Sequence, residues 1–257
     1  KFLTFFAIIC SIGLAPINDV YATTTFVDAF SVAAQEDLST GLAFNTDGTK
    51  MFVAGAIGKD VNEYACTTGF DVSTCGFTDA FSVAAQEELP EGLAFNTDGT
   101  KMFVVGSIGD DVNEYACTAF DVSTCGFIDA FSVAAQETVP QGLAFNTDGT
   151  KMFVLGSIGD DVNEYACDAF DVSTCGFIDA FSVSAQETSP QGLAFNTDGT
   201  KMFITGSSGD DVNEYTLSVG FDLNVPVTET TTTSSDCYDC KPPVLQSSHI
   251  TILTNDY

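Results

Sequence analysis

Pairs of acidic residues recur at nearly constant spacing along this chain. Asp110-Asp111, Asp160-Asp161 and Asp210-Asp211 each follow a glycine, and Lys59-Asp60 stands at the equivalent place closer to the N-terminus. Crowded carboxylate oxygens suit Ca²⁺, which accepts about six to eight oxygen ligands in flexible geometry. An Asp in a glycine-rich turn also commonly bonds its own backbone. The sequence therefore leaves two alternatives for these residues, a calcium site and a purely structural turn.

Other catalytic chemistry has few candidates. The repeated part of the chain contains no His and no Arg, and the single His of the sequence is His249 near the C-terminus. Serine-type triads and Cys-His pairs therefore have no base in this region. Glu114 and Glu164 fall on predicted strands. We interpret them as edge charges rather than a glycosidase pair, because near-identical copies give two carboxyl groups like environments.

Cysteine pairs also recur, once in each of three copies of a longer repeat. In an exported protein such spacing predicts disulfides, and closing a loop of about nine residues stabilises by roughly 2 to 3 kcal/mol. The fourth copy has Leu217 and Pro226 instead, so both members are missing together, as pairing within a copy requires. Thiolate metal sites are the alternative, but no His or further Cys within a copy completes a tetrahedral set. The predicted pairs are Cys66 with Cys75, Cys117 with Cys125, and Cys167 with Cys175.

A further pair, Cys237 and Cys240, follows a Thr/Ser-rich run at residues 227–236 that predicts a flexible linker. A redox Cys-x-x-Cys opens a helix, which Pro242 and Pro243 directly afterwards forbid. We expect a small structural disulfide at the start of a further segment, residues 237–257.

The elements that must position these residues form four near-copies of one segment, at residues 26–76, 77–126, 127–176 and 177–223. The second and third copies differ at only six of fifty positions. Each copy is predicted to hold four short strands, with an Asp-Gly turn between apolar runs that is typical of a hairpin. Four strands in about fifty residues predict a β-propeller blade, whose sheet is buried on both faces.

One segment of each copy has a counterpart in known proteins. Residues 140–150 (PQGLAFNTDGT) resemble the Pro-x-Gly-Leu-Ala-Phe-Ser-Pro-Asp-Gly-Thr hairpin of many propeller repeats, including lactonase-like and WD40-like ones, and the likeness covers all four copies. The resemblance implies the propeller fold. In the lactonase-like case it also implies a metal-dependent hydrolase with one central metal site, although one fold hosts many activities.

The predicted fold class is therefore all-β, a propeller of four four-stranded blades within residues 23–226. The fourth copy lacks an outer strand after Tyr215, while residues 26–30 (FVDAF) match the outer strand of the other copies. We predict that this N-terminal strand joins the last blade and closes the ring, which removes open sheet edges. Four blades is the low extreme for propellers, so two chains forming an eight-bladed ring, or repeats missing from the sequence, are alternatives.

In this frame the acidic pairs share one face of the ring with a Gln-Glu pair from each loop between copies. Together they would form a crown of carboxylates. The Gln-Glu pairs are Gln86-Glu87, Gln136-Glu137 and Gln186-Glu187.

Composition restricts the partners and the location. The chain has a formal net charge of −29 and no Arg, so it repels nucleic acid and anionic membrane surfaces, whose binding relies on clustered Lys and Arg. A hydrophobic fraction of 45% with 23 Phe predicts a folded core. Residues 1–22 hold an apolar stretch shorter than the roughly 20 residues that span a bilayer, followed by small residues, which predicts a secretory signal peptide. We expect a secreted, extracellular or cell-surface protein.

Repetition also bears on function. Catalysis generally needs one asymmetric group of residues, whereas equivalent patches suit multivalent attachment, in which linked weak sites increase avidity. The leading hypothesis is a secreted non-enzymatic binding or display module, with Ca²⁺ as a candidate ligand and a protein or polysaccharide as a candidate partner. A metal-dependent lactonase-like hydrolase and a structural spacer of a larger surface protein are the alternatives. The sequence does not decide between monomer and dimer.

Overall fold

The computed structural model describes residues 26–223. The predicted signal peptide (1–22), the linker (227–236) and the segment 237–257, with Cys237, Cys240 and His249, lie outside the described residues. Within 26–223 the chain forms fifteen β-strands and one short 3₁₀ turn, Val72–Thr74. No helix in this range is long and apolar enough to cross a membrane.

The strands form four antiparallel sheets, each a meander of consecutive strands. The first sheet contains β1 (Ser39–Phe44), β2 (Lys50–Gly55), β3 (Asp60–Cys66) and β4 (Cys75–Ser82). The second contains β5 (Pro90–Phe95), β6 (Lys101–Gly106), β7 (Asp111–Thr118) and β8 (Asp121–Ser132). The third contains β9 (Pro140–Phe145), β10 (Lys151–Gly156), β11 (Asp161–Asp168) and β12 (Asp171–Ser182). The fourth contains β13 (Pro190–Phe195), β14 (Lys201–Gly206) and β15 (Val212–Thr216).

The predicted all-β propeller is confirmed. Four blades of three or four antiparallel strands follow one another as successive blades of a propeller, with β1 packed on β5, β5 on β9, and β9 on β13. The second strand of each blade lies in the middle of this packing. Met152, Phe153, Val154 and Leu155 of β10 are all fully buried, because both faces of the strand meet a neighbouring blade.

The Asp-Gly hairpin turns form as their sequence predicts. In the third blade Gly149 has φ 73°, a conformation that glycine adopts without steric cost. Asp148 Oδ1 accepts the backbone N–H of Thr150 at 3.0 Å and its hydroxyl at 2.6 Å. These bonds close the turn and set the register in which Met152 opposes Phe145.

Three of the predicted disulfides are present. Each one closes the connection between the third and fourth strands of its blade. This supports an oxidising environment for the folded protein. The bonded pairs are Cys66–Cys75, Cys117–Cys125 and Cys167–Cys175.

Lys–Glu pairs with a buried carboxylate and a partly buried lysine link neighbouring blades. Lys101 Nζ lies 2.7 Å from Glu114 Oε1 and donates to the Phe170 carbonyl of the next blade at 2.8 Å. Glu114 Oε2 accepts the N–H of Val172, also in the next blade, at 3.0 Å. The expectation that Glu114 and Glu164 are edge charges is therefore wrong, because both carboxylates are buried between blades and are compensated there by a cation and backbone donors. The equivalent pairs are Lys50–Glu63 and Lys151–Glu164.

The predicted closing strand is wrong for a single chain. Among the described residues the fourth sheet has only three strands, and residues 26–32 form no strand. Phe30 instead packs edge-on against Tyr64 of the first blade, with ring centroids 5.4 Å apart. The segment therefore lies on the first blade, and no strand within residues 26–223 pairs with the outer edge of β15.

Candidate functional site

Two kinds of loop meet at one edge of the sheets and form what we name the loop face. One kind joins the second and third strands of each blade, at residues 56–59, 107–110, 157–160 and 207–211. The other leads into each blade, at residues 33–38, 83–89, 133–139 and 183–189. The two kinds are bonded together, since the N–H of Val133 donates to the Asp110 carbonyl at 2.8 Å. The structure thus places the acidic pairs and the Gln-Glu pairs on one face.

The glutamates of the Gln-Glu pairs point inward rather than into solvent. Glu87 is fully buried, and its carboxylate accepts the N–H groups of Leu89 at 2.7 Å, Ile108 at 3.3 Å and Gly109 at 3.2 Å. Glu187 accepts equivalent bonds, and those from Gly209, followed by Ser189 and Ser208, lower its pKa. The remaining members of this set are Glu36 and Glu137. These glutamates anchor the turns and cannot contribute to a carboxylate crown.

Sequence reasoning missed this anchoring role. A signal was present, because every one of these glutamates lies 19 residues before a glycine that begins a Gly-x-x-Gly turn. A Cβ built on Gly156 would overlap the carboxyl group of Glu137. The first glycine is therefore required by the close approach of the buried glutamate.

The acidic pairs occupy the tips of the same turns. Asp110, Asp160 and Asp210 adopt φ values of 53°, 50° and 55°, the left-handed region that Asp tolerates better than most residues. In the second and third blades the second Asp of the pair begins the third strand, and Asp161 Oδ1 accepts the Asn163 side-chain amide at 2.7 Å. Burial is the main cause that raises the pKa of Asp161. The two members of each pair thus have different surroundings.

The structure keeps the acidic pairs of different blades apart. Among residues 26–223, no three Asp, Glu, Cys or His side chains lie close enough to share a metal ion. Two oxygens, Asp110 Oδ1 and Asp160 Oδ1, are shielded from solvent and accept no hydrogen bond. A cation held at one turn would therefore need backbone, water or partner oxygens besides the Asp pair. Calcium binding stays a prediction, and the predicted sites are separate ones, each at the acidic turn of a single blade.

An exposed isoleucine stands in three of the four turns, beside an acidic pair in the second and third blades and beside Lys59-Asp60 in the first. Ile57, Ile108 and Ile158 have exposed fractions of 64%, 62% and 68%. Each lies at the second turn position, just before the glycine and that pair. The fourth blade has Ser208 at this place. The loop face therefore presents an apolar group next to carboxylates at equivalent points of successive blades.

Comparisons with known proteins agree with the fold. A protein provisionally named a 6-phosphogluconolactonase, from Bacteroides uniformis, is 12% identical over 69% of this chain and 50% of its own length, with a TM-score of 0.52. A provisionally named 6-phosphogluconolactonase from Bacteroides fragilis is 14% identical over the same shares, with a TM-score of 0.52. A functionally unknown protein from Desulfotomaculum acetoxidans is 18% identical over 71% of this chain and 56% of its own, with a TM-score of 0.51.

These likenesses concern the fold alone, because the identities are low. The chain spans about half the length of the solved structures it matches. No protein-family model and no curated protein matches the sequence.

Proposed function

We propose that this protein is a secreted, non-enzymatic module that binds or displays through its loop face, with several equivalent contacts per molecule. The observation that carries the proposal is an exposed isoleucine at the same turn position of three blades, beside an acidic pair at Ile108 and Ile158 and beside Lys59-Asp60 at Ile57. Burying one such side chain against a partner is worth about 1.5 to 3 kcal/mol. Three contacts fixed on one rigid face would add their effects through avidity.

The charge of the face limits the partner. With a net charge of −29, the chain attracts partners that carry cations or that bind through a bridging Ca²⁺. A protein with basic and apolar side chains fits the first case. An acidic polysaccharide bridged by calcium fits the second case.

The experiment uses a substitution that the chain itself already contains. The variant Ile57→Ser/Ile108→Ser/Ile158→Ser gives three blades the serine that the fourth blade carries at Ser208. Wild type and variant would be tested for binding to immobilised alginate, pectin, chitin and poly-L-lysine, with and without Ca²⁺. We expect the wild type to bind at least one polymer and the variant to bind it roughly 100-fold more weakly, as loss of avidity requires. Equal binding by both proteins, or no binding to any polymer, contradicts the proposal.

A lactonase-like hydrolase is the second candidate. It is favoured by the hairpin resemblance and by the names of two structural neighbours, which describe those proteins. The test is hydrolysis of δ- and γ-lactones at constant pH, with Ca²⁺, Mg²⁺ or Zn²⁺ added. Turnover above the buffer rate would replace the non-enzymatic proposal. A structural spacer is the function left if neither binding nor hydrolysis is found.

A further inference from the structure

The outward face of the first blade, which we name the head face, packs against no other blade within residues 26–223. Leu42 on this face is 62% exposed, whereas Leu93 and Leu143 at the same position of the next two blades are 7% exposed. Leu42 borders an apolar groove of about 300 Å³ that is also lined by Met51 and Val53.

The outward face of the fourth blade, the tail face, is likewise uncovered. Val212 is 65% exposed, although its counterpart Val162 in the third blade is fully buried. A Cβ built on Gly192 would meet only Thr205 of its own sheet, whereas one on Gly142 would meet Leu193 of the next blade. The two faces therefore each lack one blade.

The head and tail faces carry the two halves of an aromatic contact that occurs between all consecutive blades. In the second interface the ring of Phe103 lies 4.5 Å from that of Phe145 and 6.2 Å from that of Phe170 in the next blade. The equivalent triplets are Phe52 with Phe95 and Phe120, and Phe153 with Phe195 and Phe221.

The residues of a fourth such triplet are divided between the two ends of the chain's row of blades. The head face holds the receiving pair, Phe44 and Phe70, at 5.5 Å, which matches the 5.4 Å between Phe145 and Phe170. The tail face holds Phe203, the counterpart of Phe103 by its place in the repeat.

The Lys–Glu pair that links two blades at each internal interface is exposed on the tail face. Lys201 and Glu214 form the pair in the fourth blade, but the side chain of Glu214 is 49% exposed, against 2% for Glu114. In the internal interfaces this pair also bonds the carbonyl and the N–H of the next blade, as with Phe170 and Val172. The groups at these positions on the head face are the carbonyl of Phe70 and the N–H of Val72.

Residues 26–30 also lie where an outer strand of a preceding blade would lie. Phe30 packs on Tyr64 with centroids 5.4 Å apart and rings at 79°. Phe81, on the outer strand of the first blade, packs on Tyr115 of the second with centroids 5.4 Å apart and rings at 76°. The segment is thus placed for a three-stranded blade in front of the head face, and the blade of this chain that has three strands is the fourth.

We propose that the tail face of one chain docks on the head face of a second copy, and that two such contacts close an eight-bladed ring with two-fold symmetry. In each contact residues 26–30 of one copy form the fourth strand beside β15 of the other. The pairing of Val61 with Phe81 and of Asn62 with Ala80 sets the register, which brings Phe30 opposite Val212 and Ala29 opposite Asn213.

A second copy is the occupant because the complement of each face lies at the other end of the same chain. Such head-to-tail contacts form closed rings when the rotation closes and filaments when it does not. Rings of up to about eight blades are common among propellers, and this chain spans about half the length of the propellers it matches. The second copy also covers the free edge of β15, which removes a template for aggregation.

The first test is the mass of the purified chain by light scattering after size exclusion. We expect a dimer for the wild type and monomers for Leu42→Lys and Val212→Lys. Both substituted side chains are exposed, so both variants should fold, with circular dichroism as the check. Ile128→Lys, an exposed position on the outer strand β8, makes the same charge change away from both faces and should stay dimeric. A monomeric wild type, or a mass that keeps rising with protein concentration, would overturn the closed dimer.

The second test identifies the strand contact. Chains carrying Ala29→Cys alone and Asn213→Cys alone would be mixed, refolded together and oxidised. A covalent heterodimer on a non-reducing gel is expected, since the two positions face each other only between copies. A chain that carries both Ala29→Cys and Asn213→Cys is the second sample. If it forms this disulfide efficiently within one chain and gives no covalent dimer, a single chain closes its own ring.

Discussion

The carboxyl group of Glu87 fills the space in which a side chain at Gly106 would begin. A Cβ built on Gly106 would overlap the Glu87 carboxyl carbon and the carbonyl oxygen of Leu89. The carboxylate in turn accepts the N–H groups of Ile108 and Gly109. Glycine and glutamate therefore form one unit, which holds each turn of the loop face against the loop that leads into its blade.

Adding a methyl group at Gly106 should expel this carboxylate. We expect Gly106→Ala to lower the free energy of unfolding by about 1 to 3 kcal/mol, the usual effect of overpacking. Gly126→Ala is the matched control, because a Cβ there has nothing within 4 Å. Urea unfolding of both variants measures the difference. Equal stability of the two would show that the Glu87 carboxylate moves aside freely.

The repeats place the same Lys–Glu pair in a buried setting at Glu114 and in an exposed setting at Glu214. Glu114→Gln leaves Lys101 between blades without its carboxylate, and breaking a buried pair in this way costs about 3 kcal/mol or more. Glu214→Gln makes the same change on the exposed tail face, where an ion pair contributes less than about 1 kcal/mol. Both should be measured in the Leu42→Lys background, in which the tail face has no partner. Similar losses in the two variants would contradict the role assigned to burial.

The sequence predicted the features that depend on local patterns. Asp148-Gly149 between apolar runs predicted the hairpin, and the joint absence of both cysteines from the fourth copy predicted pairing within blades. These inferences hold because turn geometry and short disulfide loops involve residues that are near each other in the chain.

Features that depend on the next blade were not predictable in this way. Glu114 and Glu164 are charged residues on strands, and nothing within one repeat shows that each carboxylate will accept a backbone N–H of the next blade. The strand-like residues 26–30 were recognised, but the sheet that receives them depends on the arrangement of the whole ring. Contacts between blades join residues that are far apart in the sequence. The burial of these carboxylates therefore becomes apparent only when neighbouring blades are packed together.

Acid should weaken the hairpin turns in a defined way. The hydroxyl and N–H of Thr150 lower the pKa of Asp148 below its usual 3.8. A carboxylate whose pKa is lower in the folded state stabilises the fold above its unfolded pKa, and this contribution disappears as the pH falls through the folded value. Asp148→Asn should therefore be less stable than the wild type at pH 7 and equally stable near pH 2. A stability difference that is unchanged between these two pH values would contradict this account.

Calcium should bind to the acidic turns separately, because no turn approaches that of another blade closely enough to share an ion among residues 26–223. We predict several weak sites per chain in calorimetry, with Kd about 10⁻⁴ to 10⁻³ M, the range of extracellular modules. The variant Asp110→Asn/Asp160→Asn/Asp210→Asn should abolish this heat and the rise in melting temperature that mass action gives to a bound ligand. A single tight site that survives the triple change would favour the lactonase-like alternative, since such an enzyme has one central metal. No heat at all would favour the spacer and leave Asp110 Oδ1 and Asp160 Oδ1 as turn atoms without a ligand.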